Sequence, residues 1–170
     1  MKKTLIYLLL GMGLFLISCG GKTDKDIFES AKQKVESENY SEALSDFEEL
    51  VTNYPNSEYY QESLLQTGEL YQGHVNKNIS YEESLAKAIN SYRIFNAKYV
   101  NDPKVPQTLF MIGFIQANDL GQFDSAKVTY SKFIELYPDN EMTESARSEI
   151  DNLGLTPDEI LIKKMKITTE

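Results

Sequence analysis

The chain is 170 residues long, enough for one domain with a proper core and short for two. Its 26 acidic residues against 17 basic ones give a net charge of −9, which excludes a nucleic-acid binder, whose phosphate contacts demand lysine and arginine, and a basic patch for anionic lipid. Ordinary apolar content excludes wholesale disorder, and a single cysteine, Cys19, excludes an internal disulfide.

In chain order, the first element is MKKTLIYLLLGMGLFLIS. Lys2 and Lys3 form a basic head, and Leu5 to Ile17 is apolar apart from two glycines. That run falls short of the roughly 20 residues needed to span a bilayer, so residues 1–18 are expected to be a secretory signal. Cleavage before Cys19 removes two lysines and no acid, making the chain two charges more negative. Residues 19–25 are a short polar tether, reaching about 20 Å at roughly 3.5 Å per residue.

From residue 26 to 166 the chain repeats itself. One copy runs Tyr40, Ala43, Phe47, Leu50, Tyr54, Pro55, Asn56; the last runs Phe123, Ala126, Tyr130, Phe133, Tyr137, Pro138, Asp139. Between them lies Leu85, Ala88, Tyr92, Phe95, Tyr99, Val100, Asn101, in the same register. Spacings of 3 and 4 put these side chains on one stripe of a helix, here called B. Proline ends the helix and disfavours helical geometry before it. Ser57 and Asn140 then offer N-cap oxygens, each followed by a glutamate suited to a helix start. YPNSE and YPDNE are therefore punctuation between helices.

The preceding A helices carry a branched apolar residue four before a small one: Ile27 and Ala31, Leu64 and Gly68, Leu109 and Gly113. A mid-helix glycine costs about 1 kcal/mol relative to alanine, which close backbone contact with the paired helix would offset. The second A-to-B separation is about eight residues longer than the others. Ser80 and Glu83 fit a capping box, so part of this insertion should lengthen helix B by a turn, leaving His74 to Ile79 as a surface loop. After Pro138 a further helix places Met142 and Ala146 inward and stops at Gly154. Thr156, Pro157 and Glu159 then start a last helix to about Lys166. The expected fold is all-α, a superhelix of about three helix pairs plus C-terminal capping helices.

Catalytic signals are missing from this pattern. His74 is the sole imidazole and is expected to be a solvated loop residue. No cysteine or histidine spacing suits zinc, and no glycine-rich loop suits phosphate. Glu48 and Glu49, like Glu82 and Glu83, are adjacent on helices and point apart. Asn78-Ile79-Ser80 matches a glycosylation acceptor without further support. No catalytic residue, metal, cofactor or small-molecule substrate is expected, and the chain reads as no enzyme.

The repeat resembles the tetratricopeptide repeat, and more closely the envelope lipoproteins of the BamD type, which serve outer-membrane β-barrel assembly, with a second likeness to YbgF-type periplasmic proteins. AKQKVESENYSEALSDFEELVTNYPNSEYYQESL is similar to a first BamD-type repeat, and DPKVPQTLFMIGF to the start of a later pair; the likeness covers roughly residues 26–152. BamD-type proteins usually carry about five repeats; here three and a partial fourth are present, with the insertion as an addition. The N-terminus resembles a lipoprotein signal, with Leu16-Ile17-Ser18-Cys19 as the lipobox. The resemblance implies acylation of Cys19 and a lipid anchor in the bacterial envelope, at the outer membrane facing the periplasm. Gly20, rather than aspartate, fits that address under the enteric sorting rule. It further implies a protein-interaction scaffold whose partner is an envelope protein, such as a barrel-assembly component. The alternative is a YbgF-like factor of the Tol–Pal or division apparatus. An envelope enzyme such as a peptidoglycan hydrolase is opposed by the missing catalytic constellation.

In tetratricopeptide repeats the A helices line the concave face, and residues off the packing stripe point into it. Here those positions are Phe28 and Lys32; Leu65, Glu69 and Gln72; and Phe110 and Phe114. Two readings stand side by side: an apolar strip with a polar rim that takes a peptide, or aromatics that fill the core of a short superhelix.

Overall fold

The computed structural model describes residues 21–168, all helical or turn, without a strand among them. The expected anchor at Cys19, and all of residues 1–18, lie outside the described residues. Eight α-helices follow in chain order: α1 (Asp24–Glu36), α2 (Tyr40–Asn53), α3 (Tyr60–Gln72), α4 (Tyr81–Lys98), α5 (Val105–Phe114), α6 (Phe123–Leu136), α7 (Thr143–Asn152) and α8 (Pro157–Thr168). A π-helical turn, Ile115–Asp119, extends α5. Among the described residues no helix is long and apolar enough to cross a membrane.

The B stripe builds the core. Ala43, Ala88 and Ala126 are fully buried, and so, within 2%, are Phe47, Tyr92 and Tyr130 and then Leu50, Phe95 and Phe133. The first stripe position breaks the symmetry: Leu85 is buried, while Tyr40 and Phe123 are exposed. Tyr40 and Phe123 open their helices, whereas α4 begins one turn before Leu85. The insertion thus lengthens α4 as expected, with Ser80 Oγ accepting from the Glu83 amide at 3.0 Å.

The glycines of α3 and α5 meet a ring of the paired B helix, not its backbone as the sequence spacing suggests. A Cβ on Gly68 would lie 2.5 Å from the Tyr92 ring, and one on Gly113 would lie 2.8 Å from the Tyr130 ring. Ala31, the small residue of α1, is fully buried in the same core cluster as Phe47.

The punctuation repeats atom for atom. Tyr54, Tyr99 and Tyr137 end their helices in nearly the same conformation, with φ −127°, −120° and −132°. Each carbonyl then accepts an amide three residues on, from Ser57, Asp102 and Asn140. Those three side chains accept the amides of Tyr59, Lys104 and Met142, two residues further. They therefore brace the turn before each helix instead of capping its first turn. Val100 replaces proline without changing this turn, because the side-chain brace does not depend on the ring.

Thr23 supplies a capping box for α1 that the sequence reading passed over. Its Oγ accepts from the Asp26 amide, and the Asp26 carboxylate accepts from the Thr23 amide at 3.0 Å. Thr156 and Glu159 make the same box at α8. Ala146 seats α7 on α6. Lys163 joins α8 to the end of α7, donating to the Asp151 carbonyl at 2.7 Å, while Leu161, Ile162 and Met165 stay about half exposed.

Candidate functional site

Two faces of the stack present the candidate side chains. The first is the A-helix face. Phe28 is buried, stacked on Tyr59 with centroids 4.6 Å apart and edge-on to Phe47. Lys32 is exposed, its ammonium 5.6 Å from the Phe28 ring. Leu65 is buried, and the half-buried Gln72 accepts a hydrogen bond from Tyr92 at 3.1 Å. Glu69 faces solvent and accepts from Gln66 at 3.1 Å. Desolvation pushes its carboxyl above the ordinary range, against the pull of Lys104 and the Gln66 hydrogen bond. Phe110 is half-buried, edge-on to Tyr130 and Phe133 at 5.3 and 5.8 Å. Phe114, one turn on, is 36% exposed. Lys32, Glu69 and Phe114 are thus the positions of this face that reach solvent.

His74 is not the solvated residue expected from its loop. It is half-buried at φ 48°, with Nε2 3.0 Å from the Ile79 carbonyl and its ring against Tyr81. It closes the insertion loop on itself. Tyr81 in turn donates to Asp119 at 3.0 Å, tying the loop to the π turn.

The second face lies over the B helices, where each pair of successive B helices brackets an A helix. Between α2 and α4, over α3, the space is small, a cavity of about 160 Å³. Tyr71 crosses it and donates to Glu48 of α2, while Lys87 of α4 lies 5.2 Å from the same ring. Burial, and then the neighbouring Glu48, push the Tyr71 phenol well above its usual range, so it stays a donor. Between α4 and α6, over α5, the equivalent space is larger, with adjoining cavities of about 400 and 320 Å³. One repeat after Tyr71 stands Gln116, in the π turn. Its side chain accepts from Thr129 of α6 at 2.7 Å and so turns away from α4. Sequence periodicity gave no sign of this opening, because the stripe it tracks points the other way.

Helix pairs in constant register, two of them locked by a glycine under a tyrosine ring, define a tetratricopeptide-type repeat protein. Stacks of this class build extended concave surfaces. The family model described as outer membrane lipoprotein, YfiO, matches residues 21–165, and the chain belongs to that family. The match carries the BamD-type half of the expected resemblance. Among individual curated proteins none matches the chain.

Proposed function

We propose that the protein is a non-enzymatic scaffold, held to the periplasmic side of the outer membrane by lipid on Cys19 and serving β-barrel assembly. The observation that carries this reading is the family match, which begins two residues after the lipobox cysteine and runs through seven helices into α8. Removal of residues 1–18 would leave Cys19 as the first residue, where two or more acyl chains hold stably to a bilayer. Residues 20–23 would then leave α1 within about 14 Å of the surface, at roughly 3.5 Å per residue. The partner is an envelope protein. On the A-helix face Lys32, Glu69 and Phe114 would meet it, with Gln72 beside them and Phe28, Leu65 and Phe110 as the floor beneath.

Two measurements test this. A clickable palmitate analogue should label the wild type and leave Cys19→Ser unlabelled; equal labelling of both removes the anchor. The detergent-solubilised lipoprotein should co-purify with barrel-assembly components. Recovery with Tol–Pal proteins in their place would move the reading to the division apparatus. Phe114→Ala should lower stability by only about 1–2 kcal/mol, since part of the ring is already in water, and weaken partner capture. A loss of about 3–5 kcal/mol without a binding defect would make Phe114 a core residue.

A further inference from the structure

We propose that the crevice between α4 and α6 is a docking site for an acidic amphipathic helix of a partner protein. Its floor is Leu109 and Ile112 of α5, and its walls carry Val100, Val128 and Leu136. These wall residues are 64%, 71% and 52% exposed, far beyond what packing inside the chain explains. Val128, Lys132 and Leu136 stand one turn apart along α6. That makes a ridge of helical pitch, the surface into which another helix fits by ridges and grooves. One repeat earlier the same space is smaller, about 160 Å³, with Tyr71 crossing it to Glu48. The extra room here accompanies the exchange of Tyr71 for Gln116 within the same repeat frame.

The charge of the rim selects the occupant. The chain as a whole carries −9, yet Arg93, Lys127 and Lys132 line this crevice and its outer wall, against the single carboxylate of Glu135. Among the described residues none of the three cations is in an ion pair. Arg93 occupies the position that Glu48 holds one repeat earlier, where Glu48 is engaged by Tyr71. An apolar floor flanked by free cations fits a helix with leucine-type residues on one face and carboxylates along both edges.

The site deepens the scaffold reading and rests on it for its biological use, but its chemistry is testable apart from any native partner. The probe is a fluorescent helical peptide with Leu at i, i+3, i+4 and i+7 and Glu at the flanking positions. A second peptide carries Lys at those flanks. Anisotropy with the detergent-solubilised full chain should show the Glu peptide binding at least about tenfold tighter than the Lys peptide, with the difference shrinking as salt rises. Lys132→Glu and Val128→Asp alter exposed side chains, so their melting should match the wild type while Glu-peptide binding falls about tenfold or more. Equal affinity for both peptides, or unchanged binding in both variants, overturns the proposal. Self-association of the wild type that Val128→Asp abolishes would assign the crevice to a second copy and overturn it as well. Barrel-assembly co-purification that survives in both variants would leave the scaffold reading standing without this site.

Discussion

The two B-face junctions differ in how their halves meet. Between α2 and α4 the side chains of α3 reach both neighbours, and one apolar cluster runs unbroken from Ile27 to Phe95. Between α4 and α6 the core divides. Val105, Ile112 and Ile115 join the N-terminal cluster, while Leu109 joins a second one built from Ala117, Ala126, Tyr130, Phe133 and Ala146. The same repeat frame therefore gives a junction with a continuous core and a small groove, and one with a divided core and a larger groove. Side chains of different reach account for it. Tyr60 becomes Val105 one repeat on, and Tyr71 becomes Gln116, so the later junction has less to fill it. A repeat stack sums local pair contacts, and such a stack can loosen at one interface while the others hold.

Truncating one fully buried phenylalanine in each cluster should show the division most strongly. Phe95→Ala and Phe133→Ala should each cost about 3–5 kcal/mol, but in different places. Amide exchange should rise throughout α1 to α4 in Phe95→Ala, and chiefly in α6 and α7 in Phe133→Ala. If Phe133→Ala exposes α1 and α2 equally, the core is one cooperative unit.

The glycine sockets come next. Gly68→Ala pushes a methyl into the Tyr92 ring, and Gly113→Ala pushes one into the Tyr130 ring. Overpacking costs about 1–3 kcal/mol, against a helix-propensity gain of about 1 kcal/mol. The net loss of melting stability should be larger at Gly68, where the approach is closer and Gln72 holds the ring. A gain at both sites would mean that the rings move freely.

The two socket tyrosines should separate the junctions by a smaller margin. Burial pushes both phenols well above their usual range, but only Tyr92 has a partner, Gln72; the Tyr130 hydroxyl is buried without one. Tyr92→Phe should lose about 0.5–1.5 kcal/mol. Tyr130→Phe should be neutral or stabilising, since it removes an unpaired polar group. Equal losses in a denaturant titration would erase the distinction.

Acidification should loosen the two side-chain capping boxes. Hydrogen bonds from Thr23 and Thr156 hold the Asp26 and Glu159 carboxyls below their ordinary range. Their contribution is present above the unfolded values and is lost as pH falls through the lowered ones. NMR in that acidic window should show α1 and α8 fraying at their first turns while the α3 and α5 amides stay protected. Thr156→Ala should remove the α8 response.

Helix count, register and the buried stripe follow from the sequence alone, because helical period and turn chemistry are local: a residue's neighbours at 3 and 4 fix its face. The punctuation at Tyr54, Tyr99 and Tyr137 and the extra turn of α4 are of this kind. The Thr23 box was equally local and was there to be read. What sequence spacing could not supply is which partner fills each space. That Gly68 meets a ring, that Phe28 lies beneath Tyr59, and that Tyr71 crosses to Glu48 while Gln116 turns to Thr129 all depend on helices distant in sequence. Only their packing decided that the groove at one B-face junction is small and the next is larger. Periodicity places a side chain on a face, whereas the distance it must span is set by the helices that pack on either side.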